Sequence, residues 1–184
     1  ISADKRRQAD LMFHKVGITF TVYGEEDGAE RLIPFDIIPR SIPAREWQMV
    51  ERGCIQRVKA LNLFLADLYH DKRILKAGLI PPEQVLANDQ YQMAMQGLTL
   101  HRGVYAHIAG IDLVRDGDGT YYVLEDNLRT PSGVSYMLED RKMMMRLFPD
   151  LFGQNRVAPV AHYPDLLLET LRAVSPASSD EPTV

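Results

Sequence analysis

Glu125, Asn127 and Arg129 alternate with Leu124, Asp126 and Leu128 in a run that follows Tyr121-Tyr122-Val123 and breaks into Thr130-Pro131-Ser132-Gly133. Successive side chains of a strand point to opposite sides, so this spacing sends the acid, the amide and the arginine to one face. A carboxylate and a neutral oxygen donor suit a hard divalent cation that keeps waters and phosphate oxygens as its other ligands. A guanidinium fork suits a polyphosphate or acyl-phosphate oxygen. The plain alternative is an edge strand whose polar face is solvated, and spacing alone leaves it open.

Upstream, Gly110-Ile111-Asp112-Leu113-Val114-Arg115 is a second strand candidate, joined to the first through Asp116-Gly117-Asp118-Gly119. The pattern predicts a β-hairpin. With Gly117 and Asp118 as the turn, Asp112 lies opposite Val123, on the face of Glu125 and Asn127; a slip of one residue sends it to the other face. Asp116, Asp118, Gly119 and Glu125 also fall at places of a calcium loop. The first ligand would then be Val114 and the flanks would be strands instead of helices, so that reading is set aside.

These two strands resemble the circularly permuted ATP-grasp proteins, relatives of glutathionylspermidine synthase, in the runs Ile111–Asp116 and Val123–Tyr136. The likeness extends to Pro34–Arg40, Glu46-Trp47, Gln56-Arg57 with Ala60-Leu61-Asn62, and His162-Tyr163-Pro164. The resemblance implies an ATP- and Mg2+-dependent ligase, with Mn2+ as the other suitable cation, that activates a carboxylate as an acyl phosphate for attack by an amine. Its substrates would be small-molecule or peptide carboxylates and amines. It further implies Asp112, Glu125 and Asn127 as metal ligands, with Glu125 bridging two ions, and Arg129 near the phosphates. In the permuted order the half with the nucleotide's lysine and adenine pocket would follow, so residues 1–175 are expected to form the metal-binding part of an α+β ATP-grasp-like domain. Residues 176–184 would be a linker toward the missing half, making the chain a fragment inactive alone. A non-catalytic interaction module built on the same scaffold is the competing expectation, and a metal-dependent phosphate hydrolase a third.

Phosphoryl transfer depends on positioning and charge neutralisation more than on covalent help, so no side-chain nucleophile is required. None is apparent. Ser132 lacks a Gly-x-Ser-x-Gly elbow, and the single Cys54 sits in a helical run without a paired histidine. No Walker A loop or Gly-x-Gly-x-x-Gly run is present. His101 and His107 could share a strand face, but two histidines without further ligands are a weak zinc signal.

The elements that must position this chemistry read as α+β, because hairpins and helices do not alternate as β-α-β units. A helix is expected over Ser2–Lys15, stopped by Gly17, then a hairpin from Ile18–Tyr23 to Arg31–Phe35 with Pro34 marking an edge strand. A long amphipathic helix follows over Ala44–Tyr69, with Trp47, Val50, Cys54, Val58, Leu61, Leu65 and Leu68 inward and Gly53 as either a close contact or a break. Asp71–Ala77 continues helically, and Pro81-Pro82 opens a short helix. Leu98–Ile108 reads as a strand with Tyr105 and His107 on one side. Val134–Leu147 is helical, with Tyr136, Met137, Met143, Met144 and Leu147 as core candidates. Backbone N–H groups at Ser132 and Gly133 before it could face a phosphate. A last helix spans His162–Val174, with Leu166, Leu167 and Leu171 inward.

Arg40, at the exit of a strand, could clamp a substrate carboxylate or simply be a surface arginine. Arg57 is expected to pair with Glu51 or Glu46 on its own helix. At 184 residues and 46% hydrophobic content, the chain can bury a core of ordinary domain size. A net charge of −4 speaks against a nucleic-acid or anionic-membrane surface. No apolar run is long enough for a bilayer. One cysteine fits a cytoplasmic protein, and a homo-oligomer stays open.

Overall fold

The computed structural model describes residues 3–17, 19–21, 30–32 and 35–175. These fall into two compact units. The first takes the chain up to Ile42 together with Ser132–Tyr163, and the second takes Pro43–Pro131 together with the residues from Pro164 onward.

In the first unit, helix α1 (Ala3–Val16) ends at Gly17, whose φ of 70° suits a glycine after a helix and whose N–H donates back to Phe13 O at 3.0 Å. Strands β1 (Thr19–Thr21) and β2 (Glu30–Leu32) pair antiparallel, as the alternation predicts. The expected turn between them and the Pro34 edge position lie outside the described residues. Helix α5 (Val134–Leu147) matches its predicted bounds, and a short helix α6 (Pro149–Gln154), not anticipated, follows with Pro149 in its first turn.

The core of this unit comes from apolar positions three and four apart on α1 meeting the same spacing on α5. Ala9, Ile37 and Leu147 are buried together, and Phe13 packs with Met143 and, at a ring separation of 4.7 Å, with Phe35. Met143 and Leu147 are the fully buried members of the predicted set; Met137 is exposed. Lys5 Nζ donates to Leu147 O and lies over the Phe148 ring, which places a cation at the negative end of α5.

In the second unit, helix α2 (Ala44–Tyr69) runs unbroken through Gly53, and a Cβ at that position would meet nothing within 4 Å. Neither expectation for Gly53 holds, so it is a plain propensity defect in the helix. Val50 and Leu68 are buried as predicted, whereas Trp47 is 55% exposed. Helices α3 (Arg73–Lys76) and α4 (Pro82–Leu86) are single short turns. Asp67 anchors the first by accepting from Arg73 N at 3.0 Å and Ile74 N at 2.9 Å.

The predicted strand over Leu98–Ile108 does not form. Arg102 and Gly103 adopt φ of 58° and 65°, a left-handed corner that no strand accommodates, and a 3-10 turn occupies His101–Gly103. Asn62 on α2 then takes the backbone groups a neighbouring strand would have used. Its Oδ1 accepts from Tyr105 N (2.7 Å) and Ala106 N (2.9 Å), and its Nδ2 donates to Ala106 O (3.0 Å). The strand face that would have aligned His101 with His107 is therefore absent.

Beyond this loop, β3 (Gly110–Arg115) and β4 (Tyr121–Asn127) form the expected antiparallel hairpin. Helix α7 (Tyr163–Ala173) closes the described chain; Leu167 and Leu171 are half-buried, but Leu166 is exposed. The residues expected to form a linker, 176–184, lie outside the described part.

Candidate metal centre

The hairpin turn is one residue longer than the two-residue turn its sequence suggests. Asp116 N donates to Thr120 O at 3.0 Å, Gly119 sits at φ 93°, and Arg115 pairs with Tyr121. A turn ending in a left-handed glycine is a common longer hairpin connection. Asp116 Oδ1 accepts from the N–H groups of Asp118 and Thr120, and Asp118 Oδ1 from Thr120 N, which fixes the loop through its own carboxylates.

From this turn the pairing runs Val114 with Tyr122 and Leu113 with Val123, and then shifts: Asp112 pairs with Glu125, Ile111 with Asp126 and Gly110 with Asn127. Leu124 is the extra residue of a β-bulge and is 68% exposed. Asp112 therefore faces Glu125, not Val123 as the shorter turn implied. The longer turn and the bulge each move the register by one in the same direction, and the total shift of two equals one side-chain period, which leaves Asp112, Glu125 and Asn127 on one face. All three are exposed, and Asn127 Nδ2 donates to Glu125 Oε1 at 3.2 Å.

Gly110 belongs to the same face, and its missing side chain matters. A Cβ there would come within 2.8 Å of Pro131 Cβ, so only glycine admits the chain as it leaves β4 past Asn127.

The opposite face of the hairpin looks toward α2. Ile111, Leu113, Tyr121 and Val123 line an apolar groove of about 680 Å3 shared with α2 residues Val50, Cys54 and Ala60. Ion pairs bracket it. Arg57 Nε and Nη2 each donate to an oxygen of Asp126 at 2.6 Å, and Glu46 Oε1 accepts from Arg115 Nε and the Tyr121 hydroxyl, both at 2.7 Å. The expected pairing of Arg57 with Glu51 or Glu46 does not form: on the unbroken α2 those acids lie about 9 and 16 Å back along the axis, and the guanidinium takes this fork-to-carboxylate contact with Asp126 instead. The hydrogen bonds from Arg57 hold Asp126 below the usual carboxylate range. No signal within α2 reveals a partner 69 positions away.

The remaining predicted residues sit elsewhere. Strand β4 ends at Asn127, so alternation does not carry to Arg129, whose Nη1 donates to Gln90 Oε1 at 3.0 Å. Ser132 and Gly133 belong to the first unit, where Gly133, at φ 94°, precedes α5 and accepts at its O from Tyr136 N. Arg40 is exposed in that same unit.

The donor set fits a small hard cation. Two carboxylates directly opposite on an antiparallel pair repel each other, and neither has a cationic side-chain partner among the described residues. A divalent ion between them would relieve that repulsion, and the Asn127 amide oxygen adds a neutral ligand. Among the described residues no group of three or more His, Cys, Asp or Glu side chains gathers around a metal-sized site, at this face or elsewhere, His101 and His107 included; the hairpin face offers two carboxylates and an amide.

Residues 39–184 match the sequence model of a family described as circularly permuted ATP-grasp. The chain belongs to the circularly permuted ATP-grasp family. An uncharacterized protein of Synechocystis sp. is 46% identical to this chain over 176 residues, which is 96% of this chain and 37% of that protein. An uncharacterized protein of Mycobacterium tuberculosis is 44% identical over 186 residues, 100% of this chain and 33% of that protein. A Frankia alni protein, provisionally named glutamate–cysteine ligase 2-3, is 42% identical over 170 residues, 91% of this chain and 19% of that protein. The chain thus spans between about a fifth and just over a third of the length of these curated relatives. The mixed helices and antiparallel hairpins agree with an ATP-grasp-like α+β domain. Among the described residues no helix is long and apolar enough to cross a membrane.

Proposed function

We propose that this chain is the metal-binding portion of an ATP-dependent ligase that joins a carboxylate to an amine through an acyl phosphate. The observation that carries the reading is the register pair Asp112–Glu125 with Asn127 beside it on one exposed hairpin face. Asp112, Glu125 and Asn127 would hold Mg2+ or Mn2+. Such an ion, when bound, neutralises phosphate charge and polarises the transferring group.

The chain's own residues contribute placement. The bulged hairpin presents both carboxylates outward, Asp112 from β3 and Glu125 from β4, and α2 holds it from behind through Arg57 and Glu46. Arg129, next to the site in sequence, would exchange its Gln90 contact for a phosphate oxygen, which a charged oxygen favours over a neutral amide. The provisional name of the Frankia relative makes glutamate and cysteine the first carboxylate and amine to try.

The test is ATP turnover by the full-length protein with Mg2+ or Mn2+ and candidate substrates, with hydroxylamine added to trap an acyl phosphate as a hydroxamate. Metal-dependent ADP release together with hydroxamate supports the reading. Turnover that survives chelation, or that is unchanged in Glu125→Gln, overturns it.

A further inference from the structure

Val123 and Asp126 are three positions apart on β4, yet both lie on the side toward α2: Val123 lines the apolar groove, and Asp126 is gripped by Arg57. In a regular strand, residues an odd number apart point to opposite faces. The extra residue at Leu124 reconciles the two, and in doing so it sends Glu125 and Asn127 to the side of Asp112.

The bulge has a competitor. If Leu124 entered the ladder, the strand would continue regularly from Leu113–Val123 to Asp112 opposite Leu124, Ile111 opposite Glu125 and Gly110 opposite Asp126. Glu125 would then point into the apolar groove and Asp126 outward. This regular register regains ladder hydrogen bonds that a bulge gives up, and it separates the carboxylates of Asp112 and Glu125. Against it stands the paired charge of Asp126, which it would pull away from Arg57. The pair makes two parallel hydrogen bonds and spans from α2 to the residue between Glu125 and Asn127.

We propose that the Arg57–Asp126 pair is the register lock of the candidate metal centre: it holds β4 in the bulged pairing and so keeps Glu125 and Asn127 on the face of Asp112. The inference rests on the reading of that face as the metal site. Arg57 and Asp126 act on the metal only through Glu125 and Asn127 and are positioning residues.

Deleting Leu124 makes the test specific. Without it a regular strand pairs Leu113 with Val123 and Asp112 with Glu125, the native facing, with no bulge to defend. Loss of the lock should therefore be rescued by loss of the bulge residue.

The experiment measures Mn2+ binding to the full-length protein by electron paramagnetic resonance, with Mn2+ alone as the probe. Asp126→Asn is expected to weaken binding about 10- to 100-fold, the usual cost of removing support behind a metal ligand. Deleting Leu124 in the Asp126→Asn background is expected to bring affinity back to within about threefold of the parent. Parent-like binding in Asp126→Asn alone, or a folded double variant that stays weak, overturns the lock.

Glu125→Gln separates the two claims. If it binds Mn2+ like the parent, the metal reading itself falls; if it loses binding while Asp126→Asn does not, only the lock falls. A metal-free measurement covers a deletion that does not fold. An Asp112→Cys/Glu125→Cys pair should oxidise readily to a cross-strand disulfide in the otherwise native chain and about tenfold more slowly once Asp126→Asn is added, by the same positional argument. Equal oxidation rates overturn the proposal.

Discussion

Asp112 and Glu125 face each other across β3 and β4, and the Asn127 amide bonds Glu125 Oε1 at 3.2 Å. Two like charges in that relation cost stability unless a cation joins them. Because both side chains are exposed, their removal should leave the fold almost untouched. Glu125→Gln is expected to lower Mg2+-dependent ATP turnover by at least about 100-fold. Its melting temperature should stay within about 2 °C of the parent. Steady-state ADP release and a thermal melt on the same sample check both halves.

Asn62 is the residue whose loss should harm folding most without touching the hairpin. Its side chain satisfies both backbone N–H groups at Tyr105 and Ala106 and the carbonyl of Ala106, in a loop that has no ladder partner. Asn62→Ala leaves those groups unpaired and should cost about 2–3 kcal/mol. Urea unfolding midpoints measure it; a change under about 0.5 kcal/mol, the range of ordinary surface substitutions, contradicts the account.

Acid should weaken the second unit in a defined window. Asp118 is lowered to about 2 by the Thr120 side-chain hydrogen bond first, with Asp116 and the Thr120 backbone N–H assisting. Asp126 and Asp67 are also depressed, the first by Arg57 and the second by the Ile74 N–H. A carboxylate depressed in the folded state contributes stability that is present above its unfolded value and is lost as pH falls through the folded value. Stability should thus be level above pH about 4 and decline from there toward pH about 2. Asp118→Asn should flatten part of that decline, which chemical denaturation at graded pH would show.

Asp140 on α5 runs the other way. Its Oδ1 is buried without a hydrogen-bond partner, and burial pushes its pKa up. The folded state favours the protonated acid, so the ionised group costs stability at neutral pH and the cost disappears in acid. Asp140→Asn is expected to raise the melting temperature by about 2–4 °C at pH 7 and to have no effect near pH 3. A lower melting temperature at pH 7 would show that the carboxylate has a use its surroundings do not reveal.

The sequence by itself determined the elements whose signal is local. Periodicity and punctuation place α2 and α5 at their observed bounds, because Pro43, Gly133 and the three- and four-residue apolar spacing act within a turn or two of the chain. Alternation also identifies β3 and β4 as a hairpin and puts Glu125 and Asn127 on one face. Where a local rule met a distant partner it failed. The 98–108 stretch looks like a strand, but its backbone groups go to Asn62, and Arg57 bypasses the acids on its own helix for Asp126.

Tertiary structure alone decided which way the hairpin faces. The turn length and the Leu124 bulge each shift the pairing by one residue, and neither is written in the alternation of β4. What selects the outcome is contact with α2: an apolar groove that takes Val123 and an arginine that takes Asp126. Side-chain period fixes only which residues share a face; packing against α2, through an arginine 69 positions away in sequence, fixes which face is open to solvent.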